Sequence, residues 1–136
     1  MTRRFESVAR AIITIGGQVL CCRGRGESFW HLPGGHIEAG EEPADALMRE
    51  LREELGRDLS ELRPVGQLEN TFTARGDTII ETNYLFAVKL LPAATEVPPV
   101  AQEAHLELRW VPIHELSRVR LMPPAVYPFV AQVGGA

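Results

Sequence analysis

The chain has 136 residues, 45% of them hydrophobic and 24% charged, with a formal net charge of −4. That is ordinary globular composition for one domain, long enough to bury a core without disulfide or metal staples. It excludes a disordered chain, and the acidic balance supplies no basic face for wholesale binding to a nucleic-acid backbone.

In chain order, Thr2-Arg3-Arg4 resembles the charged start of a signal peptide. The apolar run from Ala11 to Ile15 is soon broken by Gly16-Gly17-Gln18, which is too short for an export segment. Val8 to Ile15 and Gln18 to Arg23 read as two strands joined by a Gly-Gly hairpin turn. The only cysteines, Cys21 and Cys22, are adjacent and on a strand point to opposite faces. No disulfide framework is expected, and a reducing compartment is the easier reading. Gly24-Arg25-Gly26 breaks the second run, and Phe29 to Leu32 reads as a short strand ended by Pro33.

Pro43 opens a helix from its first turn, and Gly56 stands where a left-handed cap closes it. Two longer strands, Val65 to Thr73 and Thr78 to Leu90, flank Arg75-Gly76-Asp77. Pro92 to Pro99 reads as a loop and Leu106 to Val111 as another strand. Pro123 to Val133 reads as a terminal helix that Pro128 interrupts. No run approaches the roughly 20 apolar residues that span a bilayer. Strands before and after one strong helix predict a mixed α/β layered domain, and the expected location is cytoplasmic.

Negative charge is concentrated between Glu38 and Glu54, which also contains Glu41, Glu42, Asp45, Glu50 and Glu53, opposed only by Arg49 and Arg52. On a helix Glu50, Glu53 and Glu54 fall in one arc. Ala44, Leu47, Leu51 and Leu55 form a neighbouring arc that must face the core, while Arg49 and Arg52 point away from both. Like charges at these spacings cost roughly 0.2–0.5 kcal/mol per pair. Such carboxylates are either a solvated face or a site for a hard divalent cation, Mg²⁺ or Mn²⁺. Leu32-Pro33-Gly34-Gly35 feeds a turn of bare backbone into this helix.

The segment from Gly35 through Glu41 to Arg49-Glu50-Leu51-Arg52-Glu53-Glu54-Leu55-Gly56 resembles the Nudix box, G-x5-E-x7-R-E-U-x-E-E-x-G-U with U apolar. Gly35, Glu41, Arg49, Glu50, Leu51, Glu53, Glu54 and Gly56 match; Arg57 departs at the last apolar position, and Glu42 is an unusual N-cap before Pro43. The Glu107-Leu108-Arg109-Trp110-Val111-Pro112 run also resembles the family. The resemblance implies a single Nudix hydrolase domain over residues 1–136, with its box at about 35–57. The implied fold is an α/β/α sandwich with a mixed sheet, the Pro43–Leu55 helix packing its leucines on that sheet. The implied activity is metal-dependent hydrolysis of a pyrophosphate bond in a nucleoside diphosphate-linked substrate.

By the same resemblance Glu53 and Glu54 are direct metal ligands, Glu50 a third ligand or the base, and the Gly34 carbonyl completes the set. Arg49 and Glu41 form a supporting ion pair. A further glutamate from a loop near the C-terminal strand is expected at Glu103 rather than Glu107, so the base lies among Glu50, Glu53 and Glu103. Arg23 and Arg25 are candidates for substrate phosphates, although the chain has thirteen arginines and one lysine, so their positions alone say little. Trp30, Trp110, Phe72, Tyr84 and Phe86 are assigned to core packing, and His31, His36, His105 and His114 to structural roles.

The substrate is left open. Phe72-Thr73-Ala74-Arg75 carries neither the proline of ADP-ribose hydrolases nor the tyrosine of dinucleoside polyphosphate hydrolases, and the longer motifs of NADH and coenzyme A hydrolases are missing. These absences favour a nucleoside triphosphate-type pyrophosphatase. The alternatives are a non-catalytic nucleotide sensor, an isomerase on the same fold, or a hydrolase of ADP-ribose, sugar nucleotides or dinucleoside polyphosphates. The expected partner is a small nucleotide rather than a nucleic-acid polymer or a membrane, with a homodimer left open.

Overall fold

A computed structural model describes residues 2–135. Two sheets form the middle layer. The larger has the order β4-β1-β6-β5 and comprises β1 (Arg3–Ile12), β4 (Gly34–His36), β5 (Asp58–Ala74) and β6 (Asp77–Leu91). The smaller has the order β2-β3-β7 and comprises β2 (Thr14–Ile15), β3 (Gln18–Gly24) and β7 (Leu106–Pro112). β1 runs parallel to β6 while the other pairings are antiparallel, so the larger sheet is mixed. The first strand therefore lies earlier than Val8 to Ile15: its pairing with β6 begins at Arg3, and the chain changes sheets at Ile13.

Strand alternation sorts the core into two halves. Ala9, Ala11 and Ile13 face one way and join Leu20, Phe86, Val88, Leu90 and Trp110 under helix α1 (Pro43–Leu55). Ile12, Val19, Cys21, Leu85 and Val111 face the other way. There they meet Trp30, Leu32, the short helix α2 (Leu116–Val119) and helix α3 (Tyr127–Gly134). Helices thus cover both faces, the expected α/β/α arrangement. Leu47 and Leu51 are fully buried and Leu55 is 2% exposed; each such side chain contributes about 1.5–3 kcal/mol of burial. Gly56 takes the left-handed cap with φ 64° and returns its N–H to the Arg52 carbonyl, while Glu42 makes no side-chain cap, as its type predicts.

Several expectations change. Phe29 to Leu32 is not a strand; it is held by single bridges from His31 to Cys22 and from Trp30 to Leu121. The strand comes just after Pro33, so Gly34 and Gly35 belong to an edge strand rather than a turn. Pro64 lies inside β5, tolerated because β5 is an edge strand with a register shift at Pro64/Gly66. Pro128 does not break the last helix, since it occupies the first turn, where its missing N–H has no helical acceptor. Phe72 is not core: it is 38% exposed, whereas Phe86, Trp30 and Trp110 are buried.

Candidate active site

The site grows from the junction of β4 with α1. Gly34 is buried, and its N–H donates to Glu54 Oε1 at 3.0 Å. A Cβ on Gly35 would stand 2.5 Å from the Glu50 carboxyl carbon, so only glycine lets this carboxylate lie against the strand. Glu54 is 7% exposed, whereas the Glu53 side chain is half exposed. Burial pushes the Glu54 carboxyl up to about 8; Glu50 and Glu103 add to the shift, while the Gly34 N–H and Arg10 oppose it.

Arg49 does not point away from this cluster, as the helical projection alone predicts. Its fork donates to both Glu41 oxygens, Nε at 2.8 Å and Nη2 at 2.9 Å, and Nη2 also reaches the His36 carbonyl at 3.1 Å. Nη1 then donates to Glu50 at 3.1 Å and Glu53 at 3.5 Å. A long side chain folds back where a projection of Cα positions cannot show it. The Glu41–Arg49 pair is the expected one, and it draws the Glu41 carboxyl down to about 2, Arg49 being the main cause and the Glu38 N–H the second. Arg52 does turn outward, to Asp58 at 3.0 Å. Arg57, in the apolar position of the motif, donates to the Pro92 carbonyl at 3.1 Å and so ties the next loop.

Glu103 and Glu107 separate clearly. The Gln102 N–H donates to the Glu54 carbonyl at 2.8 Å, which brings the Glu103 loop to the helix. The Glu103 carboxylate is near enough to raise both Glu54 and Cys22. Glu107 is instead paired with Arg23 at 3.2 Å and Arg25 at 3.8 Å. Arg23 also donates to the Glu27 carbonyl and lies 4.4 Å over Trp30, and Arg25 donates to the Ala104 carbonyl. The forks of Arg23 and Arg25 are therefore engaged within the protein. Burial pushes the Cys21 and Cys22 thiols up to about 12, which leaves no thiolate nucleophile here.

The donor set suits a hard divalent ion: carboxylate and carbonyl oxygens, with no neutral thiol or imidazole competing. The helix carboxylates are not gathered into a closed cage, because Arg49 stands between Glu50 and Glu53. Among the described residues, a tighter convergence occurs elsewhere, where ligand atoms of Glu6, His36 and Glu81 lie within 4.8 Å of one another. His36 thus takes part in a cluster that sequence spacing could not reveal, because its members come from three strands.

Sequence reasoning missed Arg10. It stands on β1 opposite Gly34, and its charge is felt by Glu54 and feels Glu81, Glu54 and Glu50 in turn. Burial lowers its pKa. Arg10 also lines a cavity of about 410 Å³ with Phe29, His31, Phe72, Glu81 and Asn83. The signal in the sequence is a charged residue inside the apolar strand run Val8-Ala9-Arg10-Ala11-Ile12.

With this geometry in view, the comparisons are direct. The NUDIX domain family matches residues 5–133. The chain belongs to that family. Among relatives, the Nudix chain is 35% identical over 94 residues to mutator protein MutT4 of Mycobacterium tuberculosis, covering 68% of this chain and 36% of that protein. It is 55% identical over 40 residues to an RNA pyrophosphohydrolase of Halorhodospira halophila, covering 29% and 22% respectively. These matches span well under two thirds of those relatives. The fold is shared with the dihydroneopterin triphosphate pyrophosphohydrolase of E. coli, with TM-score 0.74, 22% identity, and coverage of 95% of this chain and 96% of that one. No helix of the described residues is long and apolar enough to cross a membrane.

Proposed function

We propose that this Nudix chain hydrolyses a pyrophosphate bond in a nucleoside diphosphate-linked compound, most simply a nucleoside triphosphate. The observation that carries the reading is the clasp of Glu54 by the Gly34 N–H. It fixes one buried carboxylate against an edge strand, with Glu50 over Gly35 and the Glu103 loop bound to the same helix. Glu50, Glu53 and Glu54, with the Gly34 carbonyl, would hold Mg²⁺ or Mn²⁺. When bound, such an ion neutralises diphosphate charge and acidifies an attacking water. Glu103, whose loop is bound to the same helix, would take the water proton, and Glu41 holds Arg49 so that the helix carboxylates keep their geometry. The cavity beside Arg10 takes the nucleoside portion between Phe29 and Phe72. Arg10, rather than the engaged Arg23 and Arg25, supplies the cation between cavity and carboxylates.

The test is a screen of purified protein with Mg²⁺ or Mn²⁺ against nucleoside triphosphates, sugar nucleotides, ADP-ribose and dinucleoside polyphosphates. Pyrophosphate or phosphate release that requires the metal is expected. Nucleotide binding with no product from any compound would replace the hydrolase reading with a sensor.

A further inference from the structure

On the face of the larger sheet away from α1, three strands bring one polar cluster together. β1 and β6 run parallel with Glu6 beside Glu81, so two like charges share a rung, which is destabilising by itself. His36 pairs with Val8, two residues along β1 from Glu6, and so stands on the same face. Alternation along β4 agrees: a Cβ on Gly35 would meet Glu50 under α1, which turns the next side chain the other way. His36 Nε2 lies 3.2 Å from Glu6 Oε2, and ligand atoms of all three residues fall within 4.8 Å of one another. A surface ion pair accounts for His36 with Glu6, but not for a second carboxylate on the same rung.

The surroundings hold these groups without neutralising them. Arg4 Nη2 lies 3.3 Å from Glu6 Oε1 and is shared with Asp77, 3.9 Å from Arg4 Nη1. The buried Asn83 donates Nδ2 to Glu81 Oε1 at 3.1 Å. Each carboxylate is thereby fixed through one oxygen, as a metal-binding carboxylate is by its supporting partners. Across β5 the neighbour of Glu81 is the neutral Asn70. Arg10 feels the charge of Glu81 but turns Nη1 to the Leu32 carbonyl at 3.1 Å. A neutral imidazole with two carboxylates carries the charge that one divalent ion cancels. Metal bonds of about 2.0–2.2 Å set tetrahedral donors roughly 3.3 Å apart; His36 and Glu6 already have that spacing, and Glu81 reaches it by side-chain rotation. Imidazole with carboxylate suits Zn²⁺ better than the hard Mg²⁺, and Mn²⁺ stands at the weak end of the divalent order.

We infer that Glu6, His36 and Glu81 form a second metal site, distinct from the helix carboxylates, which takes Zn²⁺ and staples β4 to β1 and β6. Glu6 accepts, so Nε2 carries the ring proton in the empty cluster. The ion replaces that proton, the remaining one sits on Nδ1, and a fourth position stays open to water. β4 is a three-residue edge strand, and its Gly34 and Gly35 seat Glu54 and Glu50 on the opposite face. The staple therefore steadies the backbone on which the candidate active site rests.

One equivalent of Zn²⁺ added to the full chain in millimolar Mg²⁺ tests the site. The His36 imidazole nitrogens should shift in ¹H–¹⁵N spectra, with loss of the Nε2 proton, while those of His31, His105 and His114 stay in place. By calorimetry Glu81→Gln and Glu6→Gln should each weaken Zn²⁺ by more than the roughly 10–100-fold lost with a supporting partner. His36→Gln, at a side chain 64% exposed, should abolish binding with the melting temperature of the metal-free chain kept. His105→Gln with His114→Gln should leave it intact. The Ile37 N–H, bonded to the Ser7 carbonyl at 2.9 Å, reports the staple. Zn²⁺ at a hundredfold excess over its Kd should slow its hydrogen exchange by about a hundredfold. Unmoved His36 resonances, or equal Zn²⁺ affinity in wild type and both glutamine variants, would overturn the site. Unchanged exchange at Ile37 would overturn the staple. Neither readout involves turnover, so the hydrolase reading stands or falls by its own screen.

Discussion

Helix α1 and the cavity wall from Phe29 to Leu32 are near neighbours in the chain, yet they are held by opposite means. The helix is fixed by periodic burial, with Leu47, Leu51 and Leu55 at 2% exposure or less. The wall has no repeating structure. It hangs on two single bridges: His31 with Cys22, and Trp30 with Leu121, the latter made by the Trp30 N–H to the Arg120 carbonyl at 3.0 Å and the Met122 N–H to the Trp30 carbonyl at 2.8 Å. Its anchor is the Trp30 ring, with Arg23 and Arg109 over it at 4.4 and 5.9 Å. The helix carboxylates ride on a regular element fixed by its leucine stripe, and the cavity wall is carried by an irregular segment whose Trp30 and Leu32 are buried in the other half of the core.

That contrast can be broken by substitution. Glu53→Gln with Glu54→Gln should cost more than the roughly 10–100-fold lost when only a ligand's supporting partner is removed. Circular dichroism should stay native, since glutamine oxygen still accepts the Gly34 N–H; wild-type turnover in Mg²⁺ would refute the assignment. Leu51→Ala strikes the helix through packing instead and should destabilise by about 2–5 kcal/mol in urea denaturation. A loss below that range would mean the helix is not held by its leucines. Metal should matter only where the carboxylates are intact. Millimolar Mg²⁺ or Mn²⁺ at a hundredfold excess over its Kd should add roughly 2.7 kcal/mol of stability to wild type. The double glutamine variant should show no such rise in melting temperature.

The wall has its own signature in pH. Burial, reinforced by Arg10, lowers the His31 imidazole from 6.5 to about 4, despite its 2.9 Å contact with the Leu32 carbonyl. Above pH 6.5 the ring is neutral in both folded and unfolded chains. Below it the unfolded chain takes a proton that the folded one refuses, so the ring's own contribution to stability falls as pH drops from about 6.5 to 4, against the opposite contribution of Glu54, whose folded carboxyl keeps its proton up to about 8. For a partly exposed ring this amounts to on the order of 1–2 kcal/mol. His31→Gln should remove the ring's contribution, and an unchanged pH profile would assign it to other groups. The smallest effect is expected at Phe72→Ala, where a lost aromatic wall worth about 0.5–1.5 kcal/mol should raise KM threefold to tenfold with kcat and melting temperature kept.

The same contrast explains what could be read from the sequence. Glu41, Arg49, Glu50, Glu53 and Glu54 lie within fourteen residues, so helical spacing places them together and Gly56 marks where the helix stops. Glu103 stands in the sequence ahead of the strand that holds Glu107, and the Gln102-to-Glu54 backbone bond is the physical reason its loop comes near the helix. Arg10, Phe72, Glu81 and Asn83 were not legible as a group. Their cavity is assembled by parallel pairing of β1 with β6 and antiparallel pairing of β6 with β5, and no local period records a register between distant strands. The Pro128 error has a simple cause: the helix begins at Tyr127 rather than at Pro123, which turns an interior proline into a first-turn one.

The longest strand of the protein, β5, is also the border of its sheet. A border of 17 residues is an open seam onto which another polypeptide could be stitched by backbone pairing alone. Here the seam is spoiled from within. Pro64 withholds one amide hydrogen, register shifts at Leu59/Glu61 and Pro64/Gly66 interrupt the spacing, and Glu61 and Arg63 bring charge to the interrupted stretch. A Cβ on Gly66 would collide with the Phe129 ring of α3, so the irregularity is locked from behind by a helix. Straightening β5 by replacing Pro64 and Gly66 would therefore do more than disturb one molecule: it would remove the obstacle to fibrous growth between molecules.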